Sequence, residues 1–219
     1  MIRRDKITRQ AFALIILVSG IDVYADNKAT ELVRDSSYFH LLIYSAGILR
    51  GFSNDSVIAA RQWQSDLVMD NGGNLEINLD VDVDSLEVDN EKDRALYDHL
   101  ANAGQPSPRA VKRTKRIMLG KKVLDVRRYP TVRVQVNVDF NSRNIDVSVE
   151  IKGRTARKIV ALTLECKDQI SRAVGDIHFT HRDFGLRPYS TLLGAIKIAE
   201  PLDFHFAAAV PIACKDLSA

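Results

Sequence analysis

The chain has 219 residues but only two cysteines and five histidines, and its formal charges nearly cancel: 31 Lys and Arg against 28 Asp and Glu. It holds no His-Glu-x-x-His, no Cys-x-x-Cys and no Gly-x-Ser-x-Gly. Those absences remove the sequence grounds for a zinc hydrolase, a dithiol redox centre or a nucleophile elbow. The histidines do not replace them. His178 and His181 stand three apart in a stretch that reads as strand, so they face opposite sides and do not chelate together. His205 alternates with aromatic residues and is expected to face outward.

Long apolar runs are lacking too. Ala11 to Val18 is apolar but short of the ~20 residues that span a bilayer. It follows Arg3, Arg4, Lys6 and Arg9 and precedes Val23-Tyr24-Ala25. That order of positive, apolar and small residues reads as a signal peptide over 1–25. A buried N-terminal helix or an uncleaved anchor is the alternative, and Asp22 is unusual inside a signal. Removing 1–25 takes away four bases and the acids Asp5 and Asp22, leaving 27 bases against 26 acids. A nearly neutral protein is a poor nucleic-acid binder, because such affinity comes from neutralising phosphates. An exported chain permits a Cys166–Cys214 disulfide, and two reduced buried thiols fit the pattern equally well.

What remains, 26–219, is one domain of alternating segments. Leu75, Ile77, Leu79, Val81 and Val83 alternate with Glu76, Asn78, Asp80, Asp82 and Asp84, giving a strand with one apolar and one wet face. Val132, Val134, Val136 and Val138 repeat the pattern, as do Ile145, Val147, Val149 and Ile151. Tyr38 to Ala46 and Val57 to Met69 read as earlier strands. Val160, Leu162, Leu164 and Cys166 share a face; Gly175, Ile177 and Phe179 mark the next strand; Leu202, Phe204, Phe206, Val210 and Ile212 mark the last. Asn71-Gly72-Gly73, Asn141 to Asn144 and Gly153 are turns. About eight strands with short connections predict a mainly β, antiparallel barrel, since closure removes exposed edges.

One helix is expected. Ser107 suits the N-cap and Pro108 the first helical position, and Gly120 ends the helix. Ala110, Val111, Thr114, Ile117 and Met118 form its apolar stripe, which must pack on the barrel. From Arg109 to Arg128 there are nine Lys or Arg and one acid, Asp125. That run reads first as solvated surface; the functional alternative puts Arg109, Lys112, Arg116 or Lys121 at the barrel mouth, holding an anionic head group. Asp80, Asp82, Asp84 and Glu91 match four places of a calcium loop. Ser85 stands where that loop needs Gly, so a solvated strand face and an acidic loop from Glu87 to Asp93 are the expectation.

The expected interior is apolar: Leu79, Val81, Val111, Met118, Val134, Val136, Val147, Leu162, Leu164, Ile177, Phe179, Phe204 and Phe206. It offers almost no inward polar group to orient a reaction. Phe184, Tyr189, Leu192 and Leu193 belong to a segment too apolar for an ordinary loop, expected to line the pocket or plug one end. At about eight strands a barrel interior either fills with side chains or holds one small ligand.

Two stretches carry a family resemblance. One is Met118-Leu119-Gly120-Lys121-Lys122-Val123-Leu124-Asp125-Val126 with Tyr129-Pro130. The other is Asp183-Phe184-Gly185-Leu186-Arg187-Pro188-Tyr189-Ser190, continuing to Leu193-Gly194-Ala195. Gly153-Arg154-Thr155 lies between them where the family has a glycine turn. With these, the chain from about Tyr38 to Pro211 resembles the YceI-like proteins, lipid- or polyisoprenoid-binding barrels of the bacterial periplasm. Relatives often carry Gly-His-Asp-His after the first strand; here Ser53-Asn54-Asp55-Ser56 stands in its place, so no role of those histidines transfers. The resemblance implies a lipocalin-like antiparallel barrel of about eight strands with one amphipathic helix packed against it, and a long apolar ligand such as an isoprenoid quinone, a polyprenyl chain or a fatty acyl amide. It implies no cofactor beyond that ligand and no catalytic residue. The expectation is therefore a non-catalytic periplasmic lipid carrier that contacts a membrane or an envelope protein transiently. The alternative is a solid barrel acting as an envelope scaffold. A lipid-modifying enzyme would need inward ionisable groups, and none is expected.

Overall fold

The computed structural model describes residues 37–52, 54–69, 75–138, 144–161, 163–209 and 214. The expected signal segment over 1–25, Asn71-Gly72-Gly73, most of the Asn141–Asn144 turn, Leu162, Val210 and Ile212 lie outside the described residues.

In chain order the strands are β1 (Tyr38–Ile43), β2 (Ser45–Ala46), β3 (Ser56–Ala59), β4 (Trp63–Met69), β5 (Leu75–Asp82), β6 (Glu87–Val88) and β7 (Thr131–Val138). Then come β8 (Asn144–Ile151), β9 (Arg154–Ala161), β10 (Thr163–Lys167), β11 (Ile170–Thr180), β12 (Ser190–Thr191), β13 (Ile196–Ile198) and β14 (Pro201–Ala209). Helices α1 (Glu91–Arg94), α2 (Asp98–Asn102) and α3 (Pro108–Leu119) lie between β6 and β7.

The long strands form two antiparallel sheets, β4-β5-β7-β8-β9 and β10-β11-β14-β1-β3-β6. Two chain passages join them. Three residues separate β3 from β4, and one separates β9 from β10. Each passage carries a strand out of one sheet and into the other. Counting each bent strand once, the order runs β3/β4, β5, β7, β8, β9/β10, β11, β14, β1 and returns to its start. That is an antiparallel barrel of eight strands divided at two corners. The expected strand over Val57 to Met69 is thus broken at Ala60–Gln62, where it turns the first corner.

Register follows the alternation. Leu79 pairs with Val134 and Val134 with Val149; Val136 pairs with Val147. Opposed residues share a face, so these aliphatics line the inside. Outside, Arg133 bridges Asp80 and Glu150, and Arg157 bridges Asp146. Such exposed ladders add little stability, but they keep the polar parity in water. Ile151 and Arg154 flank Lys152 and Gly153, both at positive φ (55° and 74°), a two-residue hairpin turn of the kind that glycine favours.

Helix α3 begins as expected. The Ser107 Oγ accepts the Ala110 N–H, and the Gly120 N–H donates to the Ile117 carbonyl. Gly120 itself is extended (φ −70°), with no left-handed cap. The Met118 side of the helix packs with Ile58 and Val88, and with Leu41, Ile43, Leu119 and Leu124 around them. Leu41 and Leu124 also touch the barrel core, so α3 and the chain after it close one barrel end.

Two further helices, α1 and α2, replace the expected wet acidic loop. Asp89 and Asp93 are buried. Asp89 accepts from the Ser56 hydroxyl, the Val57 N–H and Arg94, whose guanidinium lies 2.7 Å from Asp89 Oδ1. Arg94 is buried and also donates to the Asp55, Leu100 and Gly104 carbonyls. This network ties both helices to β3. It supports a second small core outside the barrel, in which Leu100 packs with Leu42, Val57, Tyr44 and Tyr97.

Candidate functional site

The barrel interior is the candidate site. Its centre is a cluster of Ile145, Val147, Val149, Ile151, Ile177, Phe179, Phe184 and Leu202, all buried. Phe184 closes the helical end. It lies in a 3-10 turn (His181–Phe184) whose start is held by a reciprocal cap: Asp183 accepts the Thr180 N–H, and the Thr180 hydroxyl accepts the Asp183 N–H. Its ring meets Phe179 at 5.2 Å, and Phe179 meets Phe204 edge-on at 5.8 Å.

Around this cluster the inward face is not sealed. Leu41, Val132, Val134, Val136, Val160, Phe204 and Phe206 pack against it yet stay only partly buried. A filled core places such residues out of reach of solvent. Here part of the inward apolar wall stays exposed to solvent. Gly175 shapes that wall: a Cβ there would sit 2.7 Å from the Phe206 ring, so the missing side chain is what lets Phe206 lie flat against β11.

Several inward residues went unread in the sequence. Trp63 pairs with Val81, and its ring meets Phe39 at 5.1 Å. Phe39 pairs with Phe206, and Leu41 with Phe204 and Ile58. Trp63 was hidden because the break at Ala60–Gln62 resets the parity of its strand. The other miss is charge: Arg154 and Lys158 occupy the inward parity of β9, opposite Ile151 and Val147.

The other predicted site residues divide. Leu79, Ile177 and Phe179 are buried on the inner face, and Val81 is half-buried. Leu164 has the inward register, opposite Ala173, but is 40% exposed. Met118 and Val111 belong to the cap beneath α3. Tyr189 is half-buried, and its carbonyl receives the Ile198 N–H. Leu193 contradicts its assignment. Both Leu192 and Leu193 adopt left-handed backbone (φ 50° and 54°) and project into solvent instead of plugging the barrel. Leu186, from the same segment, packs against the core in their stead.

Arg109, Lys112, Arg116 and Lys121 are all exposed, on the face of α3 and its C-terminal turn away from the apolar stripe. They do not enter the interior. The four acids of the supposed calcium loop stay apart in role. Asp80 faces Arg133, Asp82 caps the Asp84 N–H, and Glu91 starts α1. Among the described residues no group of three or more His, Cys, Asp or Glu is arranged to hold a metal ion.

The densest polar cluster is on the outer face, beneath α1 and α2. His40 is buried, with Nδ1 3.0 Å from the Tyr97 hydroxyl and Nε2 3.2 Å from Asp93. Asp93 also pairs with Arg61. Burial raises the Asp93 carboxyl pKa, but His40 and the Arg61 guanidinium outweigh it and hold the group below the usual range. Burial pushes the Tyr97 hydroxyl far up, with the charges of its neighbours adding to it, so it stays protonated. The barrel wall separates this cluster from the interior.

The two sulfurs are joined. Cys166 and Cys214 form a disulfide with Cα atoms 5.4 Å apart. Cys166 stands opposite Ser171, at the hairpin end of the barrel away from α3.

Fold and interior together define a small antiparallel barrel with an apolar, partly exposed inner wall and a helical cap. No family model and no curated protein matches the chain. Solved structures do. BcnA of Burkholderia cenocepacia is similar over 80% of this chain and 98% of its own, with 14% identity and a TM-score of 0.48. A YCEI protein of Campylobacter jejuni is similar over 70% of this chain and 84% of its own, with 8% identity and a TM-score of 0.42.

Proposed function

We propose that this protein binds a long-chain apolar lipid inside the barrel and carries or sequesters it without covalent chemistry. The observation that supports this reading is the inner wall of Val134, Val136, Phe204 and Phe206: apolar, inward in register, yet only partly buried. A chain laid along that wall gains about 0.8 kcal/mol per buried methylene. An isoprenoid or fatty acyl tail supplies enough methylenes to bind tightly with few polar contacts. A solid scaffold barrel would have sealed the same side chains. The dense His–Asp–Tyr cluster faces away from the interior, which favours binding over catalysis. The Cys166–Cys214 disulfide supports an oxidising compartment, in keeping with export by the N-terminal segment to the periplasm.

The test is native mass spectrometry of protein purified from its own host, followed by organic extraction. A bound species that leaves into solvent and carries a long hydrocarbon chain is expected. Protein that is uniformly free of lipid, and that binds none of a panel of isoprenoid and acyl lipids, would sink the proposal.

A further inference from the structure

β9 interrupts the apolar inner face with charge. The pairs Ile145–Val160, Val147–Lys158, Val149–Ala156 and Ile151–Arg154 put Lys158 and Arg154 on the side where Val147 and Ile151 are buried. Ile159, the hydrophobic residue between Lys158 and Val160, faces outward and is 70% exposed. The strand therefore spends an inward position on a cation and an outward one on an aliphatic, the reverse of its hydrogen-bonded neighbour β8.

Lys158 stands at a seam in the wall. β9 pairs with β8, whereas β11 pairs with β10 only from Ile170 to Val174. Beyond Val174, among the described residues, β11 has no hydrogen-bonded strand on that edge. Across this gap the Lys158 ammonium lies 5.8 Å from the centre of the Phe179 ring. Among the described residues Lys158 makes no hydrogen bond or ion pair. The acids on nearby elements are already engaged: Asp146 with Arg157, Glu150 with Arg133, and Asp183 with the Thr180 N–H. Three features thus coincide: an unpaired cation, a gap between strands, and an aromatic ring that belongs to the apolar core.

We propose that Lys158 receives the anionic head group, a carboxylate or a phosphate, of an amphiphile whose chain lies along the barrel interior. This deepens the carrier reading and rests on it. The lysine stem can lie along the apolar wall while its ammonium reaches the water at the seam. There a single negative charge meets a point charge beside a low-dielectric wall, where attraction exceeds its value in bulk water. Arg154 lies four residues along the same strand, about 13 Å away at ~3.3 Å per residue, so it does not share the head group. Its guanidinium is seated over Gly185, where a Cβ would come within 2.6 Å of Nε.

The experiment uses delipidated protein and two fluorescent probes with the same chain, cis-parinaric acid and its methyl ester, at pH 7 and low salt. The acid is expected to bind about tenfold more tightly than the ester, the lower end for a hydrogen bond to a charged group. Lys158→Met should bring the acid to the level of the ester and leave ester binding unchanged. Lys158→Arg should keep the preference, and so should Arg154→Gln, which removes the same charge elsewhere on the strand. Displacement by dodecyl phosphate at lower concentration than dodecanoate assigns a phosphate head, and the reverse assigns a carboxylate. If dodecanol displaces as well as either, or if both probes bind and Lys158→Met leaves their ratio unchanged, the proposal is overturned while the carrier reading stands. If neither probe binds, the carrier reading fails and the head-group site fails with it.

Discussion

Val136→Phe separates a hollow barrel from a filled one. Val136 points inward between Ile77 and Val147, and it is only partly buried. Val147, its neighbour on β8, points the same way and is 2% exposed. In a filled interior, adding a ring at either position forces strain of about 1–3 kcal/mol. In a protein of this size that lowers Tm by roughly 2–12 °C, at about 2–4 °C per kcal/mol. The structure predicts unequal outcomes. Val147→Phe should show the full loss. Val136→Phe places its ring in unfilled space and exchanges one good strand former for another, so its stability should shift by less than about 0.5 kcal/mol. It should also abolish lipid uptake, because the ring takes the ligand's volume. The assay is thermal and urea unfolding of both variants beside a lipid-binding titration. Equal destabilisation of the two would refute the argument, since it would mean that Val136 already sits in packed surroundings.

Three other outcomes follow from the same contacts. Asp89→Asn leaves Arg94 buried without its counter-charge and should cost about 3–5 kcal/mol, read as a lower urea midpoint; a loss under about 1 kcal/mol would remove the helix-anchoring role of the pair. Removing the disulfide with Cys166→Ser and Cys214→Ser opens a loop of 48 residues, and loop-closure entropy sets the loss near about 4 kcal/mol; an unchanged midpoint under oxidising conditions refutes it. The Asp93 carboxyl is depressed in the folded state from its ordinary 3.8, so its stabilisation is complete above about pH 4 and is lost as pH falls through the folded value. Asp93→Asn should therefore flatten the acid limb of stability against pH, and a variant whose acid limb matches the parent's would show that Asp93 contributes nothing to it.

Much of the fold was legible because the signal is local. A strand with one wet face must alternate, so Leu79, Val134, Val136 and Val147 declared both their element and their side. Ser107-Pro108 and Gly120 marked the ends of α3 by the chemistry of unpaired backbone groups. The misses share a cause as well. Asp89 and Asp93 read as solvated because their partners, Ser56, Arg94, Arg61 and His40, are brought to them by pairing between distant segments. Lys158 was passed over although its parity could be counted back from Val160; a lysine in a strand is by default assigned to water. Leu193 was assigned inward on hydrophobicity alone, while its left-handed backbone turns it out.

The sequence by itself determined the strand alternation, the position of the capping helix and the near-neutral charge, because each depends on residues close together in the chain. Tertiary structure alone decided where β3/β4 and β9/β10 turn from one sheet to the other, and therefore where the seam beside Lys158 opens. It also decided that Cys166 meets Cys214, that two acids lie buried outside the barrel, and that part of the apolar inner wall stays exposed. Periodicity specifies which side of a strand is apolar; how far apart two apolar walls stand depends on every strand in the ring.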